Sequence, residues 1–213
     1  MHDDEIRSRS YYQRRAGLYD WANRLAALLR GTSGRTERLK AIARLRLNPA
    51  DRVLEVASGT GTNLLLMQAA APAAGCFVGL DISRAMLSRC RAKPHRTTPP
   101  LSLVEGEAAH LPFADRVFDA VLHHGGFAEF GDKRRALAEI ARVARHGARI
   151  VICDVGVPAD RRLPLISRLL LRTQQVYDQP PPLDLLPPAA RDVQLTWIGG
   201  GAWYLMDFSN GAE

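Results

Sequence analysis

The segment Val53-Leu54-Glu55-Val56-Ala57-Ser58-Gly59-Thr60-Gly61 decides the fold of this chain. A short apolar run passes into a Gly-x-Gly turn, and a helical pattern begins at Thr62. A strand, a tight loop and a helix start in this order bring the backbone close to a nucleotide-like ligand. Gly59 and Gly61 suit the turn because a Cβ atom there would strain the backbone or block the ligand.

A second apolar run, from Phe77 to Asp81, ends in a carboxylate. A carboxylate at the C-terminal end of a strand can accept hydrogen bonds from both hydroxyls of a ribose. A dinucleotide-binding loop requires a third glycine, and Leu64 occupies that position. The two segments together therefore predict a site for a nucleoside cofactor and disfavour a pyrophosphate.

The segment Glu55 to Gly61 resembles the first motif of class I S-adenosylmethionine-dependent methyltransferases, with Ala57 at the usual first glycine. It is most similar to the ubiquinone/menaquinone-biosynthesis branch, in which a cysteine takes the place of Ser58. The resemblance covers residues 51–155, roughly half of the chain. In chain order, the further matching segments are Gly79 to Leu87, Glu105 to Phe113, Phe118 to His124 and Ala138 to Gly147.

This resemblance implies that S-adenosylmethionine is the cofactor, with Asp81 on the ribose and Ile82 and Met86 beside the adenine. It also implies that Glu107, where aspartate is usual, accepts a hydrogen bond from the adenine amino group. The implied cofactor-binding residues are Tyr19, Glu55, Ala57, Ser58, Gly59, Thr60, Gly61, Asn63, Asp81, Ile82, Met86, Gly106, Glu107, Ala108 and His123.

Two histidines, His123 and His124, stand at the end of the fourth predicted strand and are the candidate catalytic residues. Open α/β sheets place ligands at this edge, and an imidazole titrates near neutral pH, so either could act as a general base. The alternative is that His123 only lines the cofactor pocket and His124 packs. Asp154, after the fifth strand, is a further candidate for the substrate site, or else a solvated loop carboxylate.

Tyrosines before the first strand are candidates for a lid over the site. The stretch from Tyr19 to Asn23 resembles a Tyr-Asp-x-x-Asn segment that covers the cofactor in the same branch. Tyr11, Tyr12 and Tyr19 could stack on a substrate or on the sulfonium. The alternative is that some of these tyrosines belong to a helix core.

Alternating apolar runs and helical patterns predict an α/β fold with a mainly parallel sheet and helices on both faces. Val193 to Ile198 and Ala202 to Phe208 flank three glycines, which predicts an antiparallel C-terminal hairpin. The expected architecture is a Rossmann-like sheet of seven strands. We predict one domain, with a helical lid over 1–47, the cofactor-binding core over 51–155, and a substrate-covering helix and hairpin over 156–213.

The composition of 213 residues, with a net charge of +7, leaves an anionic partner open. No nucleic-acid-binding motif accompanies the scattered arginines, so RNA is not favoured. Apolar runs fall short of the ~18 residues of a membrane span, and the polar N-terminus is unlike a signal peptide. The cysteines lack metal-ligand spacing, so we expect no metal. The expected location is cytoplasmic, and the oligomeric state is open.

The sequence therefore predicts methyl transfer from S-adenosylmethionine to an O, N or C atom of a small molecule, perhaps apolar or aromatic. A phospholipid or quinone methyltransferase at the membrane surface is the first alternative. An RNA methyltransferase and a non-catalytic S-adenosylmethionine-binding module are the others, and a dehydrogenase is the least favoured.

Overall fold

The computed structural model describes residues 34–95, 98–156 and 179–212. Tyr11, Tyr12, Tyr19 and the helix expected near 165–177 lie outside the described residues. The helices are α1 Gly34–Arg44, α2 Thr62–Ala70, α3 Arg84–Arg91 and α4 Lys133–Val143. The strands are β1 Arg52–Val56, β2 Cys76–Asp81, β3 Leu101–Glu105, β4 Phe118–His124, β5 Ala144–Val155, β6 Ala190–Ile198 and β7 Trp203–Asn210. No helix in these ranges is long and apolar enough to cross a membrane.

The seven strands form one sheet in the order β3-β2-β1-β4-β5-β7-β6. Strands β1 to β5 pair in parallel, and β7 runs antiparallel between β5 and β6. This arrangement confirms the Rossmann-like sheet and the C-terminal hairpin. Val56 pairs with Leu80 on one side and with His123 on the other, so β1, β2 and β4 end together at one edge.

Successive residues of the central strands enter different cores, because side chains alternate across a sheet. Val53 and Leu122 pack on the face that carries α1, α2 and the Cys90 side chain of α3. Leu54 and Val121 pack on the opposite face, against residues of α4. This alternation confirms the prediction of helices on both faces, and explains why the strand sequences read as continuous apolar runs.

Helix starts agree with the sequence better than helix ends do. The Ser83 hydroxyl accepts the N–H of Met86 at 3.4 Å, and the Asp132 carboxylate accepts the N–H of Arg135 at 2.9 Å. Both residues are therefore N-caps, as their type predicts. The expectation that α4 continues to Gly147 was wrong, because Ala144 already pairs with Phe118 in the β4–β5 ladder.

Helix α1 is tied to the C-terminal hairpin through a buried carboxylate. Asp207 of β7 is fully buried and pairs with Arg149 of β5. The guanidinium of Arg44 reaches the other oxygen of Asp207 at 3.4 Å and the Gln194 side chain at 2.8 Å. A buried charge is tolerated only when it is paired, so the Asp207 carboxylate requires these cations. The ion pair with Arg44 therefore holds α1 against β7.

Gly61, at the start of α2, has no room for a side chain. Its φ angle is +74°, in the left-handed region that glycine adopts without strain. A Cβ atom on Gly61 would lie 2.1 Å from Sγ of Cys90, which is fully buried on α3. The loop after β1 therefore packs directly on α3, and glycine is required by contact as well as by conformation.

We predict that Gly61→Ala lowers the free energy of unfolding by about 3 kcal/mol, the sum of a left-handed Cβ penalty and an overpacking penalty. Gly59→Ala is the matched control, since Gly59 has φ +55° and its Cβ would meet nothing within 4 Å. It should cost only about 1 kcal/mol, by strain alone. Urea unfolding of both variants measures the difference.

Adding Cys90→Ala to Gly61→Ala should restore part of the lost stability, because the clashing sulfur is removed. The double variant must be compared with Cys90→Ala alone, since that change leaves a cavity of its own. Strict additivity of the two changes would show that the contact between Gly61 and Cys90 does not matter.

Candidate active site

A cleft opens at the edge of the sheet where β1, β2 and β4 end. It contains about 760 Å³ of empty space, a figure that includes space open to solvent. Its described lining comes from five segments: the loop after β1, the end of β2 with α3, the loop after β3, the turn after β4, and the start of α4. The lining residues are Ala57, Gly59, Leu80, Asp81, Ile82, Met86, Gly106, Glu107, Ala108, Ala109, Gly125, Gly126, Glu129, Phe130, Gly131, Asp132 and Ala136.

Eight residues that the sequence assigns to the cofactor line this cleft together. They are Ala57, Gly59, Asp81, Ile82, Met86, Gly106, Glu107 and Ala108. The sequence reasoning missed the wall contributed by residues 125–132 and by Ala136. The adjacent glycines Gly125 and Gly126, directly after a buried strand, were the available signal for a close backbone approach.

Asp81 connects the loop after β1 to the start of α3. One of its carboxylate oxygens accepts the N–H of Gly59 at 2.7 Å, and the other accepts the N–H of Ser83 at 2.8 Å. Burial raises the pKa of Asp81, and the two backbone N–H groups oppose that shift. The carboxylate therefore fixes the loop after β1 against the start of α3, with its remaining lone pairs available at the cleft wall.

The loop after β3, which carries Glu107, is held by a pair of charged residues on α4. Glu139 accepts the N–H of Leu111 at 2.8 Å, and Arg142 donates to the carbonyls of Leu111 and Phe113 at 3.0 and 2.9 Å. Arg142 also bonds Glu139 through two nitrogens, at 2.7 and 2.9 Å, and lowers the pKa of Glu139. The helix thus positions the loop from outside the cleft.

Glu55, which the sequence assigns to the cofactor, lies fully buried behind the loop and is not among the described residues that line the cleft. Asn63 of α2 donates to Glu55 at 2.6 Å, and Arg38 of α1 donates to Asn63 at 2.7 Å. Both groups of the Asn63 amide are therefore engaged in the protein. Burial raises the pKa of Glu55 to about 8, so a neutral carboxyl group predominates at pH 7.

Three further residues of the predicted cofactor set support the loop and do not line the cleft. Ser58 is buried at the base of the loop, and Thr60 is buried and accepts a hydrogen bond from Lys93 at 2.8 Å. Lys93 also reaches the Thr62 hydroxyl at 3.3 Å, and Gly61 packs on α3 as described above. These residues shape the site from behind.

His123 also lies outside the cleft lining and is fully buried. Its ring packs against Phe130, a lining residue, with centroids 4.9 Å apart. Nδ1–H donates to the carbonyl of Val56 at 3.0 Å, and burial lowers the pKa of His123 to about 4. A neutral, enclosed ring of this kind braces the wall of the cleft, and a role of His123 as a base or as a cofactor contact stays a prediction.

His124 packs against Trp203, with ring centroids 5.2 Å apart, and burial holds its pKa well below the usual range. It corresponds to the packing alternative. Asp154 is fully buried at the end of β5, where its carboxylate accepts the N–H groups of Ala128 and Val155 at 3.1 and 2.7 Å. Asp154 is not among the described residues that line the cleft, and its contact with a substrate stays a prediction.

The chemistry of the lining fits a cationic nucleoside. Four carboxylates, those of Asp81, Glu107, Glu129 and Asp132, face the cleft, and no lysine or arginine is among its described lining residues. S-adenosylmethionine carries a sulfonium and an ammonium, which such a lining favours, whereas a pyrophosphate would lack a counter-charge. Leu64, at the position of the third glycine of a dinucleotide-binding loop, is fully buried. It packs so closely on β2 that a Cβ on Gly79 would lie 2.7 Å from its side chain.

The strand order, the glycine loop and the acidic cleft together define the class I S-adenosylmethionine-dependent methyltransferase fold. A family model described as a methyltransferase domain matches residues 53–147. Among solved structures, the putative methyltransferase of Haloferax volcanii, in complex with the Trm112 activator, has the same fold with a TM-score of 0.73. The two chains are 16% identical, and the match covers 94% of this chain and 98% of that one.

Curated relatives place the chain within this class. The demethylmenaquinone methyltransferase of Thermus thermophilus is 34% identical over 154 residues, which are 72% of this chain and 68% of that protein. A demethylmenaquinone methyltransferase of Mycobacterium sp. (strain KMS) is 38% identical over 146 residues, 68% of this chain and 58% of that protein. The chain belongs to the same family of S-adenosylmethionine-dependent methyltransferases as these proteins. It spans little more than half the length of the mycobacterial relative.

The buried carboxyl group of Glu55 makes stability depend on pH. Because its pKa is raised above 4.5 to about 8, its contribution to stability is full below pH 4.5 and is lost as the pH rises through 8. We predict that the unfolding free energy of the wild type falls by up to about 1.4 kcal/mol for each unit by which the pH rises, and that this fall is absent in Glu55→Gln. Urea unfolding of both proteins between pH 5 and pH 9 measures this slope.

Glu105→Gln, at the exposed end of β3, is the matched control and should keep the wild-type slope. Parallel pH profiles for the wild type and Glu55→Gln would mean that Glu55 is ionised at neutral pH in the folded protein.

Proposed function

We propose that the protein transfers a methyl group from S-adenosylmethionine to a small aromatic acceptor of the reduced-quinone class. The observation that carries this proposal is the cleft at the ends of β1, β2 and β4, which brings together Asp81, Glu107 and the glycine loop. The relatives support the acceptor class, since two of them are demethylmenaquinone methyltransferases. When bound, the cofactor supplies an electrophilic methyl group on a sulfonium.

The protein's own residues divide the cleft into a nucleoside side and an acceptor side. Asp81 and Glu107 would hold the ribose and the adenine, and Ile82 and Met86 offer apolar contact to the base. The acceptor side is formed by residues 125–132, where Phe130 provides an aromatic surface. No cation among the described lining would neutralise an anionic acceptor such as a phosphate ester, which favours a neutral ring.

Glu129 is the residue that we propose to act on the acceptor. Glu129 lines the cleft beside Phe130, whereas neither histidine of β4 is among the described lining residues, since His123 is fully buried and His124 packs against Trp203. A phenolic hydroxyl must lose its proton before the ring becomes a strong nucleophile, and a positioned carboxylate can accept it. Asp132 also faces the cleft, but it caps α4 through the Arg135 N–H.

We predict that Glu107→Ala and Glu129→Gln affect different steps. Glu107→Ala should weaken S-adenosylmethionine binding about tenfold, the loss of one hydrogen bond to a charged acceptor. Glu129→Gln should leave that affinity nearly unchanged and lower kcat by about 10²-fold or more, as loss of a general base does. Calorimetry gives the affinity, and label transfer to a short-chain demethylmenaquinol gives kcat.

Asp192→Asn, exposed on β6 and not among the described residues that line the cleft, is the control for both measurements. If the wild type binds S-adenosylmethionine but methylates no quinol, the acceptor class is wrong or the protein is a non-catalytic binding module. If it does not bind S-adenosylmethionine at all, the proposed function fails as a whole.

The second candidate is the same reaction performed at a membrane surface, where quinones with apolar tails reside. Three consecutive basic residues, Lys133, Arg134 and Arg135, begin α4 between the lining residues Asp132 and Ala136. Basic groups at a helix N-terminus are unfavourable for the helix dipole, and near a membrane each would be attracted by anionic lipid. This cluster and the net charge of +7 support contact with an anionic surface.

For this candidate we predict co-sedimentation with phosphatidylglycerol vesicles that weakens with salt and with Arg134→Glu, an exposed position. Phosphatidylcholine vesicles and Arg191→Glu, on the exposed part of β6, are the controls. Equal sedimentation with both kinds of vesicle, or none, would remove the membrane-surface version.

A further inference from the structure

Asp154 is a buried carboxylate that the chemistry proposed above does not use. It is fully buried at the penultimate position of β5. Its oxygens accept the backbone N–H groups of Gly126 at 3.3 Å, Ala128 at 3.1 Å and Val155 at 2.7 Å. Within the described parts of the chain, no lysine, arginine or histidine forms an ion pair with it. The carboxylate is therefore held by backbone N–H groups, two of which belong to the turn after β4.

That turn, residues 125–130, is the post-β4 turn, and both of its sides face open space. Gly125, Gly126, Glu129 and Phe130 line the cleft on one side. Phe127 and Ala128 line a second cavity of about 540 Å³ on the other, together with Lys133 and Tyr204 among others. The rings of Phe127 and Phe130 pack against His123, whereas the two glycines of the turn carry no side chain, so the backbone there depends on its hydrogen bonds.

Few hydrogen bonds attach the post-β4 turn to the sheet. The Gly125 N–H donates to the Cys153 carbonyl at 2.8 Å, and the bonds from Glu129 to Gly126 and from Phe130 to Phe127 stay within the turn. Gly125 and Gly126 have φ angles of +83° and +93°, which leaves this part of the backbone little local preference. Beyond Gly125, Asp154 is thus the side chain that anchors the turn to β5.

Keeping this carboxylate buried lowers stability at neutral pH. Burial raises the pKa of Asp154 from 3.8 to about 6, although the N–H groups of the turn oppose the shift. A carboxyl group with a raised pKa contributes full stability below pH 3.8 and loses that contribution as the pH rises through 6. At pH 7 the folded protein therefore contains an ionised Asp154 that lowers its stability. A carboxylate that costs stability without an ion pair points to a role in the site.

We propose that Asp154 is a positioning residue, whose ionised carboxylate holds the post-β4 turn so that Glu129 and Phe130 stand at the acceptor side of the cleft. Protonation of the Asp154 carboxylate places an O–H donor opposite the N–H groups of Gly126 and Ala128. The hydrogen bond at that oxygen is then lost, and part of the turn is released. This proposal rests on the function proposed above, because it takes the cleft as the place of reaction. It predicts a loss of turnover on acidification that originates outside the cleft.

The titratable groups around Asp154 do not account for such a transition. Tyr204 on β7 and Cys153 on β5 have pKa values raised by burial, and His124 on β4 has its pKa held well below the usual range. The raised pKa values keep the Tyr204 hydroxyl and the Cys153 thiol neutral between pH 5 and pH 8, and the lowered pKa of His124 favours its neutral form. Glu129 lies on the turn and lines the cleft, and Lys133 of α4 lines the second cavity.

The test uses Asp154→Asn, which keeps the size of the side chain but replaces one acceptor with an N–H₂ donor. We expect kcat of the wild type to fall with an apparent pKa near 6, and kcat of the variant to be at least tenfold lower at pH 7.5 and flat across this range. The affinity for S-adenosylmethionine should change less than threefold, because Asp81 and Glu107 stand apart from the turn. Asp184→Asn, exposed beside the second cavity, is the matched control.

A second readout does not require activity. Trp203 contacts the His124 ring and lies 3.8 Å from where a Cβ on Gly125 would stand, so its indole senses the turn. With 5-fluorotryptophan in the protein, and Trp203→Phe to assign the signal, the ¹⁹F resonance of Trp203 should shift with a midpoint near pH 6. The shift should be absent in Asp154→Asn and present in Asp184→Asn.

The outcomes separate this proposal from the proposed function. A wild-type Trp203 resonance that does not move near pH 6, or one that still moves in Asp154→Asn, overturns the role of Asp154 even if methyl transfer is observed. A Trp203 transition that Asp154→Asn abolishes supports the anchoring of the turn even if the acceptor class is wrong. A wild-type resonance that does not move near pH 6 overturns the proposal without any variant, so the proposal can still fail if Asp154→Asn does not fold.

Discussion

The carboxylate of Asp81 holds the N–H groups of Gly59 and Ser83 at the same time, and the remainder of the cleft is arranged around this bridge. A parallel sheet brings the ends of β1 and β2 side by side, but it does not fix the loops that follow them. One buried side chain at the end of β2 does so, because each of its oxygens accepts from a different loop. The residue that is expected to meet the ribose is therefore also the residue that shapes the ribose site, and the two roles cannot be altered independently.

The sequence predicted the elements whose local pattern agrees with their tertiary environment. The apolar runs of the central strands, the caps Ser83 and Asp132 and the three glycines of the hairpin all belong to this group. The sequence did not predict the environment of a residue where its position in the ladder decides that environment. Glu55 and Asp154 stand one residue before a strand ends, so the sheet encloses them, and Ala144 leaves the helical pattern because it pairs with Phe118.

The same distinction explains which of the predicted site residues line the cleft. Ala57, Gly59, Ile82, Gly106 and Ala108 follow strand ends, where the chain leaves the sheet and faces the cleft. Asn63 and His123 lie within regular elements, and their polar groups bond to Glu55 and to the Val56 carbonyl. A sequence motif does not distinguish residues that line the cleft from residues that lie behind it. Only the register of the sheet separates residues that face a ligand from residues that hold the loop in place.

Helix α1 supplies two of the cations that the core requires. Arg44 reaches the buried Asp207, and Arg38 bonds the Asn63 amide that holds Glu55. The methyltransferase-domain match begins at residue 53, after α1 has ended. A fragment that begins there would lose both guanidinium groups, so the Asn63 amide and one oxygen of Asp207 would each lose a partner. The contacts that support the buried Glu55 and Asp207 therefore reach upstream of the segment that carries the family's motifs.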